Sequence, residues 1–421
     1  MNRLIEPVLI KRLNTWRSVA LLGARQVGKS YALQQMLHTH PGTLFSLDDP
    51  NERQEAARDP LRYVEQRYRK GRYLVIDEAA RVPEIFSAVK ILVDRHDPKP
   101  TGICLANSGN YLRLRNIKES LAGRVSLVSM YSLSWQELAS SSRRPGLVSL
   151  FASGHAPLRI PRPASLTQLN RQREERLLWG GMPAPALQPE PESRILWARD
   201  YVRTYILPLV VEQFHIRESL AFEQAARSIM LCSGRFFNAN QLASSVGVSQ
   251  PTLQHYAHIL QAMMVVQFVP VFFRNLNKRL VKQPKVYVMD PLLLNQSLDS
   301  FSFHRAINTH EIGRLYEVFV FAELQKTIAN YGLFAETFTW RTQDQAEVDI
   351  VISAPKGLLP FEVTWSQRPT KRDASGLLAF LDDHPDAKHG YIIYPGQTVQ
   401  RITPHITALP DWWLFGSDAP I

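Results

Sequence analysis

Ser18-Val19-Ala20-Leu21-Leu22-Gly23-Ala24-Arg25-Gln26-Val27-Gly28-Lys29-Ser30 is the stretch from which the rest of the chain is read. Its first five residues have the continuous apolar character of a strand buried on both faces. The next eight fill G-x-x-x-x-G-K-[ST] at every fixed position, and Tyr31 to His38 follow with helical patterning. Each residue type has a physical reason. Gly23 and Gly28 let the backbone close around a phosphate, and the amides of Ala24, Arg25, Gln26 and Val27 turn inward as an anion nest. The helix N-terminus at Lys29, Ser30 and Tyr31 adds partial positive charge. The Lys29 ammonium reaches β- and γ-phosphates, and the Ser30 hydroxyl is a ligand for Mg²⁺. The segment predicts a site for ATP and Mg²⁺.

A second segment supports this reading. Tyr73-Leu74-Val75-Ile76-Asp77-Glu78 is an apolar strand ending in two carboxylates. Asp77 is placed to hold Mg²⁺ through water, and Glu78 to orient and deprotonate an attacking water. Gly102 to Ala106 reads as a third strand, with Asn107 or Ser108 at its end as a γ-phosphate sensor. Arg124, in Glu119-Ser120-Leu121-Ala122-Gly123-Arg124-Val125, is a candidate arginine finger, acting within the chain or on a neighbouring subunit. The predicted catalytic set is therefore Lys29, Asp77, Glu78 and Arg124.

Composition sets the wider frame. The chain has 421 residues, 45% hydrophobic and 21% charged, long enough for two or three globular domains. The longest apolar stretch, Ile259 to Phe273, is interrupted by Gln261, Gln267 and Pro270 and falls short of the ~20 residues a membrane span requires. Two cysteines, Cys104 and Cys232, make neither a disulfide framework nor a metal cluster. A soluble cytoplasmic protein with no membrane partner is expected. The net charge of +11 is uneven: residues 1–300 carry 39 Lys and Arg against 24 Asp and Glu, and residues 301–421 carry 10 against 14. The basic part suits a polyanion such as DNA; the tail does not.

In order along the chain, GARQVGKS, FSLDDPNERQEAARDP, YLVIDE, RVPEIF, ESLAGRV, YSLSWQEL, GGMP, KRLVKQPKVYVMD, GRLYEVFVFAEL and EVDIVI resemble the bacterial and archaeal AAA-type ATPases that carry a C-terminal domain of unknown function. That second domain is considered similar to restriction-endonuclease folds. The resemblance implies a multidomain α/β chain with an AAA-type P-loop ATPase domain over 1–138 and a PD-(D/E)xK nuclease-like domain over 301–421. Between them, turn-forming runs at 140–146 and 159–163 read as a linker or insertion with little packed core over 139–193, and the patterning of 194–300 reads as a helical and winged-helix segment. The chain departs from the family in two places. Ala80 stands where Gln is usual, and Asn107-Ser108 where Gly-Ser is usual. Both leave ATP binding intact and bear on the hydrolysis rate.

In the middle segment, residues 240–253 read as a helix, a glycine turn at Gly247 and a second helix capped by Ser249. Leu253, Tyr256, Ala257 and Leu260 share one face. Strands over Val265–Phe273 and Lys285–Met289 would form a wing carrying Arg274, Lys278, Arg279, Lys282 and Lys285, a candidate phosphate-binding set for DNA. The second helix offers Gln250, Thr252, Gln254, His255 and His258 outward, with no Arg or Lys to read guanine. The alternative is a module packed against protein.

In the last segment Glu317 lies on a helix, Asp349 on a strand and Glu362 on the next. This trio is similar to the metal site of PD-(D/E)xK nucleases, where a lysine two residues after the last acid helps activate water. Thr364 stands there instead, and cleavage is expected to be lost or impaired; Lys356 or Lys371 are candidate substitutes. Three functions are carried forward: an ATP-driven switch acting on DNA or a protein partner, an ATP-regulated Mg²⁺-dependent nuclease, and a DNA-binding regulator with a structural nucleotide site. A homo-oligomer is compatible with each.

Overall fold

The strand before the glycine loop is the inner strand of a parallel sheet. In the computed structural model the described residues are 3–96, 100–108, 121–208, 219–273, 283–342 and 344–416. They divide into two units: residues 1–132 with 262–264 and 329–332, and residues 133–261, 265–328 and 333–421.

The first unit contains β1 (Ser18–Gly23), β2 (Gly42–Ser46), β3 (Tyr73–Asp77), β4 (Ile103–Ser108) and β5 (Val125–Ser129), in the order β2-β3-β4-β1-β5. All pairings are parallel, and all six residues of β1 are buried. This explains why β1 is apolar without alternation: in such a sheet both faces are covered. One cover is the helix Glu84–Arg95, which buries Ile85, Phe86, Ala88, Val89, Leu92 and Val93 at helical spacing. Each such side chain contributes about 1.5–3 kcal/mol over an exposed one. Register fixes what meets at the sheet's carboxyl edge. Gly23 pairs with Ser108 and Leu22 with Asn107, while β3 lies on the other side of β4 and ends at Asp77.

The second unit holds two sheets. β6 (Arg235–Phe236), β7 (Val266–Val269) and β8 (Lys285–Val288) form an antiparallel three-stranded sheet in the order β6-β8-β7. β6 follows the helix Ser219–Leu231, and β7 and β8 follow the helices Ala239–Val246 and Gln250–Ala262. Gly247 ends the middle helix in the left-handed conformation, φ 72°, and Leu253, Tyr256, Ala257 and Leu260 are buried as their spacing predicts. Gln254, His255 and His258 are exposed. β9 (Glu336–Arg341), β10 (Glu347–Ala354), β11 (Gly357–Val363), β12 (Gly390–Tyr394), β13 (Gln400–Thr403) and β14 (Ile406–Pro410) form a mixed sheet in the order β13-β14-β12-β11-β10-β9. The helix Ile312–Asn330 buries Leu315, Val318, Phe319 and Ala322 together with much of its remaining surface. Hence its residues show little amphipathic contrast.

The stretch expected as a linker with little core, 139–193, differs from that reading. It forms the helices Gly146–Ser153 and Leu166–Trp179, which bury Leu147, Leu150, Leu169 and Leu177. Its prolines and glycines stand largely between the helices or in their first turns, as Gly146 and Pro183 do. The second helix buries Arg173, whose guanidinium binds both carboxylate oxygens of Asp411 at 2.6 and 2.8 Å; the Tyr316 hydroxyl donates to the same carboxylate at 3.0 Å. A polar residue in a periodic pattern hides a helix whose inward face includes a paired charge.

Candidate functional site

The carboxyl edge of the first sheet gathers the predicted nucleotide residues. After β1 the chain turns through Gln26 (φ 64°) and Gly28 (φ 93°) into the helix Lys29–Thr39. Gly23 is needed for close approach, because a Cβ there would lie 2.5 Å from the Met130 carbonyl oxygen. Val27 is buried at the back of the loop, and Tyr31 is 44% exposed. A residue absent from the motif braces the loop. Buried Arg3 donates to the Val27 carbonyl at 2.7 Å and the Tyr131 carbonyl at 2.9 Å. No local pattern marks this role, since its acceptors are main-chain oxygens.

Lys29 is 4% exposed and donates to the carbonyls of Gly23 (3.1 Å) and Ala24 (3.0 Å) and to Ser108 Oγ (3.1 Å). Burial pulls its ammonium down to about 8, against the opposing pull of the Glu78 and Asp77 carboxylates. Ser30 Oγ donates to Asp77 Oδ2 at 2.5 Å. Glu78 stands in the left-handed region, φ 51°, a conformation that is costly for a side-chain-bearing residue. The Ser108 hydroxyl donates to its Oε1, and the Ser108 amide lies 3.4 Å from its Oε2. Ser108 therefore links the ammonium of the loop to the acid of β3. Asn107 is buried; its Oδ1 accepts the Ala80 amide at 2.6 Å, while its Nδ2 is a buried donor with no acceptor among the described residues.

Arg124 is a correction. It precedes β5, whose Val125 pairs with Ser18 at the start of β1, whereas the loop follows the end of β1. Five residues of strand separate these levels, about 15–20 Å. Its Nε binds Asp94 Oδ1 at 2.5 Å and its Nη1 the Ala122 carbonyl. It does not reach the phosphate loop of its own chain.

The hydroxyl of Ser30 and the carboxylate of Asp77 are hard oxygen donors a hydrogen-bond length apart, the chemistry Mg²⁺ prefers. That donor set fits the ion that normally accompanies a nucleoside triphosphate.

The second unit brings together Glu317, Asp349 and Glu362, the trio read from the sequence, with a partner that reading placed elsewhere. Lys285, expected on a DNA-facing wing, is 2% exposed and points into the protein. Its Nζ lies 2.8 Å from Glu317 Oε1, 2.8 Å from Glu347 Oε1 and 3.0 Å from Asp349 Oδ1. It sits in a run rich in Lys and Arg, which reads as a charged surface until its partners, 32 to 64 residues later, are known. Arg274, Lys278, Arg279 and Lys282 lie outside the described residues. Lys356 binds the Ala152 carbonyl and Lys371 is exposed, so neither candidate substitute is the cation bound by these acids. Thr364 bonds the Ile393 carbonyl and the Ser366 amide.

Burial, with Asp349 nearby, raises the Glu317 carboxyl to about 7, despite Lys285. Burial, Asp349 and their shared hydrogen bond push Glu362 well above the carboxylate range. Burial also works to raise Asp349, but the Lys285 ammonium and hydrogen bonds from Glu362, Lys285 and the Val363 amide hold it below its usual value.

With this geometry in view, comparison with known proteins places the parts. Residues 15–139 match the family model described as AAA domain. Residues 170–303 match a domain of unknown function, DUF8612, and residues 312–414 another, DUF4143. The parallel sheet and glycine loop of the first part of the chain are thus similar to the AAA domain family. Over 397 residues the chain is 26% identical to the uncharacterized proteins Rv2008c of Mycobacterium tuberculosis and Mb2031c of Mycobacterium bovis, covering 93% of this chain and 79% of each relative. Among solved structures it is similar to the Walker-type ATPase PABY2304 of Pyrococcus abyssi, at 16% identity and a TM-score of 0.44, covering 70% of this chain and 94% of that one. Among the described residues no helix is long and apolar enough to cross a membrane.

Proposed function

We propose that the chain binds ATP with Mg²⁺ at residues 23–31 and hydrolyses it, and that nucleotide state is passed on through Ser108. The observation that carries this reading is the relay Lys29–Ser108–Glu78 beside the Ser30–Asp77 bond, all at the carboxyl edge of β1, β3 and β4. Lys29 donates to neutral acceptors, two carbonyls of its own loop and the Ser108 hydroxyl on β4. Triphosphate oxygens are charged acceptors and draw it away. Ser108 then loses one partner, and Glu78 is freed to orient water and take its proton. The unpartnered Nδ2 of Asn107 supplies a donor for a phosphate oxygen. Ser30 and Asp77 would hold Mg²⁺, which would supply positive charge beside the phosphates. Arg124, remote from the loop of its own chain, can be an arginine finger only for a neighbouring subunit's site.

The remaining parts are the proposed receivers of this switch. Two helices joined at Gly247 and followed by the β7–β8 pair support a winged-helix reading of the segment within 194–300. Its partner is DNA, through phosphate contacts, or protein. ATP turnover by the full chain, with and without duplex DNA, tests the scheme. Lys29→Ala and Glu78→Gln should each abolish most turnover. Unchanged turnover in both would end the ATPase reading, and turnover indifferent to DNA would favour a protein partner.

A further inference from the structure

Four carboxylates in the second unit surround one ammonium. Glu317 comes from the helix Ile312–Asn330, Glu347 and Asp349 from β10, and Glu362 from β11, while Lys285 enters from β8 of the other sheet. A lysine has three N–H donors. Here three carboxylate oxygens lie within 3.0 Å of Nζ, one from each of Glu317, Glu347 and Asp349. Two of these contacts are hydrogen bonds, to Glu347 and Asp349, and the third, to Glu317, is an ion pair at the same range. The ammonium is held well above its ordinary value: burial opposes this, but Asp349 and Glu317 outweigh it. A lysine so placed is neither a general base nor a group that can polarise water.

Two of the carboxylates have further partners. Glu317 Oε1 also accepts the Tyr287 hydroxyl at 2.6 Å, and Asp349 Oδ2 accepts the Val363 amide at 3.0 Å. Asp349 and Glu362 share a hydrogen bond. Gly376 closes one side, where a Cβ would lie 2.6 Å from Glu362 Oε1. A divalent ion needs oxygens at about 2.0–2.6 Å. Placed among these oxygens it would face the ammonium within a few ångströms, a strong repulsion at low dielectric. Among the described residues no group of three or more acids, histidines or cysteines is disposed to hold a metal ion.

We propose that the Lys285 ammonium is the resident cation of this carboxylate cluster, closing it to divalent metal and fastening β8 to the C-terminal sheet. The cluster is a cation site filled by the chain itself. Its acids are retained to neutralise a lysine rather than to bind Mg²⁺, and β8 is anchored by charge as well as by pairing. The claim is independent of the nucleotide site.

The test is Mn²⁺ binding to the nucleotide-free full chain, read from the loss of the free-ion electron paramagnetic resonance signal. The wild type should show no Mn²⁺ binding that Asp349→Asn removes. Lys285→Met should gain binding, and adding Asp349→Asn should remove the gain. Mn²⁺ bound by the wild type in an Asp349-dependent manner overturns the proposal, as does a folded Lys285→Met that gains nothing. Should Lys285→Met not fold, Lys285→Met/Glu317→Gln decides. Recovery of folded protein on removing one surplus acid supports the proposal, and no recovery overturns it.

Discussion

Ser30 and Asp77, 47 residues apart in sequence, are joined by a 2.5 Å hydrogen bond between hydroxyl and carboxylate. The bond exists because β1 and β3 end at the same edge of one parallel sheet, with β4 between them. It holds two hard oxygen ligands together at the end of the phosphate loop. Asp77→Asn should therefore abolish the gain in ATP affinity that Mg²⁺ provides, and leave affinity in the presence of a chelator unchanged. Titration of a fluorescent ATP analogue under both conditions reads this directly. An Mg²⁺ effect of full size in the variant would exclude Asp77 from holding the ion.

Glu78 is set apart from Asp77 by its left-handed backbone and its hold on Ser108. Its proposed work is on the water, not on binding. Glu78→Gln should lower kcat by about 10²–10⁴, the usual range for a lost general base, with ATP affinity retained. A comparable loss of affinity would mean that the carboxylate acts in the ground state.

Arg3 donates two hydrogen bonds from a buried guanidinium to main-chain carbonyls, one of them in the phosphate loop. Charge-assisted bonds of this kind contribute about 1.5–3 kcal/mol each. Arg3→Met should lower the melting temperature and weaken ATP binding together. Weaker binding without thermal destabilisation would show that the contact does not brace the loop.

Gly180 has φ 59° and ψ −144°, a region open only to glycine, and a Cβ there would lie 1.7 Å from Asp290 Oδ1. That carboxylate also accepts the Gly181 and Leu292 amides. Gly180→Ala should cost about 2–4 kcal/mol in denaturant unfolding, from combined strain and loss of the cap. Ser149→Ala, exposed on its helix, serves as the control with little effect.

The buried pair Arg173–Asp411 calls for a double-mutant cycle. Removing either partner strands a charge, at about 3–5 kcal/mol. Arg173→Met/Asp411→Leu should be markedly more stable than the sum of the single losses implies. Strict additivity would show that the two side chains do not act as a unit.

The nucleotide edge was legible because its chemistry is local. Gly23, Gly28, Lys29 and Ser30 lie in one loop, and Asp77 and Glu78 end one apolar run. Other features were hidden for one physical reason: their partners are distant in sequence. Arg124 follows a promising motif, but only strand register shows that it stands at the opposite edge from the loop. Lys285 sits in a basic run that describes its neighbours in sequence, not the acids it meets. The turn formers at 140–146 and 159–163 made 139–193 read as a linker, while the charge pair that packs its second helix, Arg173 with Asp411, lies too far apart in sequence to be seen.

The contact between Arg173 and Asp411 spans 238 positions. As the polypeptide leaves the ribosome, the helix bearing Arg173 emerges long before its counter-ion, and until then its guanidinium must stay in water. The second unit cannot close that part of its interior before translation is nearly finished, whereas every described strand of the ATPase sheet is already available by residue 129. A chain terminated shortly before Asp411 should thus carry a folded nucleotide domain attached to an open remainder, a natural substrate for chaperones and proteases.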